Sequence, residues 1–134
     1  MEFLVGLHSL WRWVLLIAFT VAMVRGFLGW LRGGAWSSTD KTLMTLAVTA
    51  IDVQFLLGLI VYVSGKHWGN SAFIAYIHPL VMIVALVVAH LVSIRVKRER
   101  EASGKFRMEA LGLLLVLFLV TAAIPSYAWS RIWS

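Results

Sequence analysis

Residues 43–63 read LMTLAVTAIDVQFLLGLIVYV, and Asp52 is the single charged side chain among these 21 positions. A helix needs about 20 predominantly apolar residues to cross the roughly 30 Å hydrocarbon core of a bilayer. Three further runs, 3–24, 72–94 and 108–128, meet the same criterion. The sequence therefore predicts an all-α integral membrane protein, folded as a bundle of four transmembrane helices.

The composition supports one membrane domain and no soluble one. Of the 134 residues, 61% are hydrophobic and 13% are charged, which lies outside the range of soluble domains. The four apolar runs occupy most of the chain, so we predict a single transmembrane domain over 1–134. The first run contains Arg12 and lacks a basic leading segment, so we expect it to be retained rather than cleaved as a signal peptide.

Several functional classes are disfavoured by what the sequence lacks. It has no cysteine, which excludes a disulfide, a thiolate metal site and a thioether-linked haem. It also has no glycine-rich phosphate loop, no nucleophile triad and no DNA-reading motif. The net charge of +6 is placed at the borders of the apolar runs, so we expect membrane lipid, and not nucleic acid, as its partner.

Lysine and arginine are distributed unequally between the two predicted sides. One side has Lys66, Arg131 and Arg12, whereas the connections after the first and third runs carry nine cations: Arg25, Arg32, Lys41, Arg95, Lys97, Arg98, Arg100, Lys105 and Arg107. The positive-inside rule places these two connections in the cytoplasm. Both termini are then predicted on the outer, periplasmic side of a bacterial inner (cytoplasmic) membrane.

The first and third runs begin with similar tetrapeptides, LHSL at 7–10 and IHPL at 77–80. His78 follows His8 by 70 residues, and Arg95 follows Arg25 by the same number. Each histidine is therefore about 25 Å from its border arginine along a helix. The two helices run in the same direction. We expect His8 and His78 to lie at one level, near the outer surface.

Other polar residues fall deeper in the predicted membrane. Arg12 lies roughly 20 Å and Asp52 roughly 16 Å from the inner edge. Buried charges usually find partners, so we hypothesise an Arg12–Asp52 ion pair; the alternative is that Arg12 extends outward and Asp52 is protonated. His90 is placed about 7 Å from the inner edge, near the hydroxyls of Thr20 and Thr45.

Two imidazoles at one depth on parallel helices are what a bundle needs to hold a haem. We predict His8 and His78 as the axial ligands of the iron, with Arg12, four residues after His8 on the same face, beside a propionate. Gly6 and Gly58 would let the macrocycle approach the backbone. A lone intramembrane histidine is more often a hydrogen-bonded structural residue. Because His8 and His78 share one depth, we give the haem hypothesis the same weight as a structural role.

The remaining candidate ligands are weaker. His90 lies about 120° around the helix from His78, and no other histidine shares its depth, so a second haem is expected only if His90 serves alone. His67 falls in a loop, where solvation is the simpler interpretation. Met82 is an alternative axial ligand, but a core or lipid-facing methionine is commoner.

Pro79 leaves two alternatives for the start of the third helix, because the residue before a proline avoids the helical region. Either the helix begins at Pro79 after a separate interfacial segment, or it continues through His78 with a kink.

The segments LHSLWRW (7–13) and DVQFLLGL (52–59), with the spacing of His78, Met82 and His90, resemble a family of small bacterial four-helix membrane proteins labelled cytochrome b-like. The resemblance implies haem b binding and electron transfer, with His8, His78 and His90 as candidate ligands.

These observations favour a haem b protein that transfers electrons as a subunit of a respiratory or photosynthetic complex, rather than a stand-alone enzyme. Asp52, Gln54 and His90 are candidate groups for binding quinone or handling protons. The alternative is a non-catalytic accessory subunit that packs against other membrane subunits and binds a chlorin pigment or a quinone. Residues 111–123 offer Thr121 as their single polar group, so the fourth helix is expected to face lipid or a partner equally well.

Overall fold

The computed structural model describes residues 2–65, 69, 73–125 and 128–129. Over these ranges the chain forms four long α-helices and no strand: α1 (Glu2–Arg32), α2 (Ser38–Ser64), α3 (His78–Arg98) and α4 (Ala102–Ala123). All four are long and apolar enough to cross a membrane. The prediction of an all-α bundle with four candidate transmembrane helices is confirmed.

The helices extend beyond the apolar runs at the charged ends. α1 continues past position 24 to Arg32 and stops where Gly33 adopts a φ of +72°. α4 begins at Ala102 and ends before Ile124, whose backbone is extended, and Pro125. Lysine, arginine and glutamate are good helix formers, so loss of hydropathy does not end a helix. A left-handed glycine or a proline does.

The start of α3 combines the two alternatives that Pro79 left open. A π-helical turn, Phe73–Ile77, leads directly into α3, and Ile77 has helical angles of φ −69° and ψ −50°. The helix is therefore continuous through His78 with an irregular turn before it. Pro79 sits in the first turn, where its missing N–H costs no hydrogen bond.

Helix α4 lies between α1 and α3 and contacts both, whereas α2 contacts α1 extensively and α3 less so. Glycines allow the close approach of α4: a Cβ on Gly26 would lie 2.8 Å from the backbone nitrogen of Ala110, and one on Gly29 would lie 2.5 Å from the ring of Phe106. One side of α4 is buried by α1 and α3, and the other side exposes Leu115 and Phe118. The expectation that the fourth helix faces lipid or a partner applies to that exposed side and stays a prediction.

The core consists of a few large residues separated by alanines. Leu15, Phe19, Ile51, Leu113 and Val116 are fully buried. The outward faces carry large exposed apolar side chains, among them Ile17, Leu56, Leu91, Leu115 and Phe118. We call the end where α1 and α3 finish and α2 and α4 begin the basic end. The opposite end, which holds His8 and His78, is the histidine end.

Candidate functional site

The imidazoles of His8 and His78 meet at the histidine end of the bundle. Their ring centres are 6.3 Å apart and their planes are perpendicular. His8 is in the second turn of α1 and His78 opens α3, and these helices occupy opposite corners of the bundle. Both side chains are partly buried. The structure thus brings together the two residues that were singled out as axial ligands.

The ring of His78 is oriented by one hydrogen bond from the end of α4. Its Nδ1 lies 2.7 Å from the carbonyl oxygen of Ala123. Because a carbonyl oxygen accepts and does not donate, Nδ1 carries the proton. The lone pair of Nε2 is then available, which is the arrangement that commonly orients a metal-binding histidine.

His8 has a buried ring nitrogen, Nδ1, without a hydrogen-bond partner among the described residues. An unsatisfied buried polar atom costs about 1–3 kcal/mol, so such atoms call for an explanation. The ring faces Gly58 of α2, where a Cβ would lie 3.0 Å from Cε1. A glycine at this position therefore makes room for the imidazole.

Two hydrogen bonds fix the turn of α1 that carries His8 against α2. The side-chain amide of Gln54 donates to the carbonyl oxygen of His8 at 3.0 Å, and the indole N–H of Trp11 donates to the carbonyl oxygen of Ala50 at 2.8 Å. Gln54 was considered as a quinone-binding or proton-handling group. In the structure it is buried and positions His8.

Arg12 is buried one turn after His8. Its Nη2 donates to the carbonyl oxygen of Ala128 at 3.0 Å, and its guanidinium carbon lies 5.2 Å from the ring centre of Trp13. The hypothesised ion pair between Arg12 and Asp52 is wrong. The carboxylate of Asp52 instead contacts His90.

Asp52 and His90 join α2 to α3, with Oδ1 of Asp52 2.7 Å from Nε2 of His90. The sequence had placed them about 9 Å apart in depth, because it measured Asp52 from Lys41 and His90 from Arg95. Their side chains nevertheless meet, so Lys41 and Arg95 do not mark one common depth. Thr20 and Thr45, the suggested partners of His90, do not bond it; the hydroxyl of Thr45 donates to its own helix at Lys41.

Sequence reasoning missed a charged cluster near the basic end. Arg25 donates from Nε to Oδ1 of Asp40 at 2.7 Å and lies over the ring of Phe106, 4.9 Å from its centre. Glu109 on α4 is fully buried, has Arg25 and Asp40 as charged neighbours, and neither carboxyl oxygen has a hydrogen-bond partner within the described ranges. An acid at the start of the run 108–128 was the available signal.

Over the part of the chain that the structure describes, no three His, Asp or Glu side chains gather as metal ligands. A metal ion at the histidine end would therefore have two imidazoles as its protein ligands. Met82, the alternative axial ligand, belongs to the buried core. His67 lies outside the described residues.

No protein-family model matches the chain, and no curated protein or solved structure was found to be similar to it.

Proposed function

We propose that this chain binds one haem b between His8 and His78 and serves in electron transfer within a membrane complex. The observation that carries the proposal is the meeting of these two imidazoles across the bundle, 6.3 Å apart. Neither residue has a charged partner within the described ranges that would explain its place. The competing explanation is a pair of structural histidines in edge-to-face contact.

The separation of the rings supports a shared iron atom. An imidazole binds a metal ion through nitrogen at about 2.0 Å, and each nitrogen lies about 1.1 Å from its ring centre. Two imidazoles that held one metal ion between them would therefore have ring centres roughly 6.2 Å apart. The observed distance between the ring centres of His8 and His78, 6.3 Å, is close to this value.

The chemistry of the donor atoms also fits. His78 offers Nε2 because Nδ1 donates to Ala123, and His8 has a buried nitrogen without a protein partner among the described residues. Gly58, which was expected to let the macrocycle approach the backbone, instead lets the ring of His8 pack against α2. The absence of cysteine from the sequence limits attachment to the non-covalent, b-type form.

When bound, a haem b supplies reversible one-electron oxidation and reduction. The chain's own residues hold and tune the ligands. Gln54 and Trp11 fix the turn that carries His8, and the carbonyl of Ala123 orients His78. The buried guanidinium of Arg12, one turn from His8, places a positive charge beside the site and is the proposed contact of a propionate. His90, bonded to Asp52 on the outer face of the bundle, is assigned no part in this haem site.

We place the protein in a bacterial inner membrane, with the basic end in the cytoplasm and both termini on the periplasmic side. The support is the charge count: nine of the 12 lysines and arginines belong to the connections at the basic end. The exposed apolar side chains of the four helices would contact lipid or neighbouring subunits. Other membrane subunits are the proposed electron donor and acceptor.

The proposal is tested by the absorption spectrum of the detergent-purified full chain, expressed with added haem precursor. We expect a reduced-minus-oxidised difference spectrum with sharp haem b bands and about one haem per chain. His8→Ala and His78→Ala should each abolish the bands, whereas His90→Ala, in the same helix as His78, should retain them.

A colourless protein with full helix content would overturn the haem assignment and favour the accessory-subunit alternative. Bands that survive in either His8→Ala or His78→Ala would reject the shared coordination.

A further inference from the structure

Asp52 and His90 form a short acid–imidazole contact that faces outward from the bundle. The two atoms, Oδ1 and Nε2, are 2.7 Å apart, yet the side chains remain 46% and 48% exposed. The second carboxylate oxygen, Oδ2, and the second ring nitrogen, Nδ1, make no hydrogen bond within the described residues. The pair thus presents unused hydrogen-bonding atoms at the surface between α2 and α3.

This surface lies near the middle of the helices. Asp52 is about 16 Å along α2 from Lys41, at 1.5 Å per residue, and His90 is about 18 Å along α3 from His78 and about 7 Å from Arg95. A hydrocarbon core of roughly 30 Å that ends near these charged residues covers both positions.

Hydrocarbon cannot satisfy these exposed polar atoms, and a polar group that faces lipid without a partner costs several kcal/mol. Ionisable residues inside a membrane therefore mark a binding or transport site by default. The occupant must arrive through the lipid phase and must offer hydrogen-bonding groups at this depth.

The side chains around Asp52 and His90 indicate what kind of molecule could bind there. Along α3 the exposed neighbours of His90 are Ile83, Val87 and Ile94, and on α2 Leu56 is exposed one turn beyond Asp52. The contact between α2 and α3 is less extensive than the other contacts between neighbouring helices. A polar pair within an apolar surface matches a molecule with a polar ring and an apolar tail.

We propose that the exposed surface between α2 and α3 is a binding site for a lipid-soluble quinol, with its ring at Asp52 and His90. A quinol hydroxyl can donate to Oδ2 of Asp52 or to Nδ1 of His90, both of which are acceptors when Nε2–H of His90 donates to Oδ1. The isoprenoid tail lies along the apolar residues of α2 and α3. This inference rests on the proposed placement of the four helices in a membrane and does not depend on the haem.

The test uses the full chain in lipid nanodiscs free of endogenous quinone, with a short-tailed azidoquinol, kept reduced under anaerobic conditions, as a photoreactive probe. We expect labelled peptides from the parts of α2 and α3 that contain Asp52 and His90. Excess unlabelled quinol should remove the label. Asp52→Leu and His90→Leu should each weaken binding about tenfold, the effect of losing one hydrogen bond of about 1.4 kcal/mol.

The matched control is Thr20→Val, which removes an exposed hydroxyl from α1, and it should leave labelling unchanged. Asp52→Asn keeps the size of the side chain and a hydrogen-bonding oxygen, so we expect intermediate labelling. A misfolded protein would instead lose the label completely. The same labelling in His8→Ala separates the two proposals, because a quinol site should survive the loss of the haem bands.

Label spread over all four helices, or label insensitive to both leucine substitutions, would overturn the proposal. A second copy of the chain is the competing occupant of this surface. Since the chain has no cysteine, Leu56→Cys and Ile83→Cys are clean probes of it. Efficient disulfide cross-linking between chains at these positions would assign the surface to a dimer and reject the quinol site.

Discussion

Oδ1 of Asp40, a fully buried residue, accepts a hydrogen bond of 2.7 Å from Nε of Arg25 and so fastens the start of α2 to α1. Oδ2 of the same carboxylate accepts from the backbone N–H and the hydroxyl of Ser37, each at 2.9 Å. The hydroxyl of Ser37 in turn accepts from the backbone N–H of Asp40 at 3.4 Å, which completes a capping box. One side chain therefore stabilises both a helix terminus and a helix–helix contact.

Asp40→Ala should lower the free energy of unfolding by about 2 kcal/mol, because it removes a capping interaction together with a charge-assisted hydrogen bond. The side chain of Arg25 is 38% exposed, so its charge still reaches solvent after the substitution. Reversible unfolding in mixed micelles, followed by circular dichroism, measures the change. Ser37→Ala keeps the ion pair and should cost about 1 kcal/mol; equal losses for the two variants would contradict the role of Arg25.

Glu109→Met should raise the free energy of unfolding by about 1–2 kcal/mol, since it replaces a buried carboxyl that lacks hydrogen-bond partners within the described residues with an apolar side chain. The same unfolding titration measures the effect. Met108→Leu, a neighbouring apolar exchange, is the control and should be nearly neutral. A clear loss of stability in Glu109→Met would mean that the carboxyl has a partner, such as a bound water, that compensates its burial.

Gly26→Ala should lower the free energy of unfolding by about 1–3 kcal/mol through overpacking, because the new Cβ would lie 2.8 Å from the backbone nitrogen of Ala110. Backbone cannot move aside as a flexible side chain can, so α1 and α4 must separate. Gly34→Ala meets nothing within 4 Å and should change stability by less than about 0.5 kcal/mol. Thermal unfolding of the two variants in one detergent makes the comparison, and equal midpoints would argue against close packing of α1 on α4.

Gly58→Val should reduce the haem-to-protein ratio, because a Cβ at this position would lie 3.0 Å from Cε1 of His8. Moving the imidazole away from the new side chain costs about 1–3 kcal/mol. Because His8 is a proposed iron ligand, this movement should weaken haem binding more than core packing. Pyridine haemochrome absorbance per mole of chain measures the ratio. Leu59→Ala, at an outward-facing position that is 48% exposed on the same helix, should leave it unchanged. Full haem content in Gly58→Val would show that the ring has room to move.

The four helices could be predicted from the sequence because hydropathy over about 20 residues is a local property with one physical cause, the thickness of the hydrocarbon core. The ends of the helices were predicted less well. The apolar runs stop at position 24 and start at position 108, whereas α1 continues to Arg32 and α4 starts at Ala102. The left-handed Gly33 ends α1, and α4 begins without a capping side-chain hydrogen bond; a hydropathy window detects neither end.

Partner choice among the buried polar residues could not be predicted. The sequence suggested Arg12 as the ion-pair partner of Asp52 because the two residues have similar depths. Depth along a helix does not determine which neighbouring helix a side chain faces. The bundle turns Asp52 toward His90 on α3 and Arg12 toward the carbonyl of Ala128. Glu109 was passed over because the apolar sequence after it suggested a helix without a buried polar role.

The sequence by itself determined the number of helices, their apolar character and the spacing that puts His8 and His78 on corresponding turns, since each depends on neighbours in the chain and on a fixed rise per residue. The tertiary structure decided the rotation of each helix and the order in which the helices pack. Those two quantities depend on contacts between distant segments, such as Gly26 against Ala110 and Gly58 against His8. They bring two imidazoles to 6.3 Å in the interior and leave Asp52 and His90 at the surface.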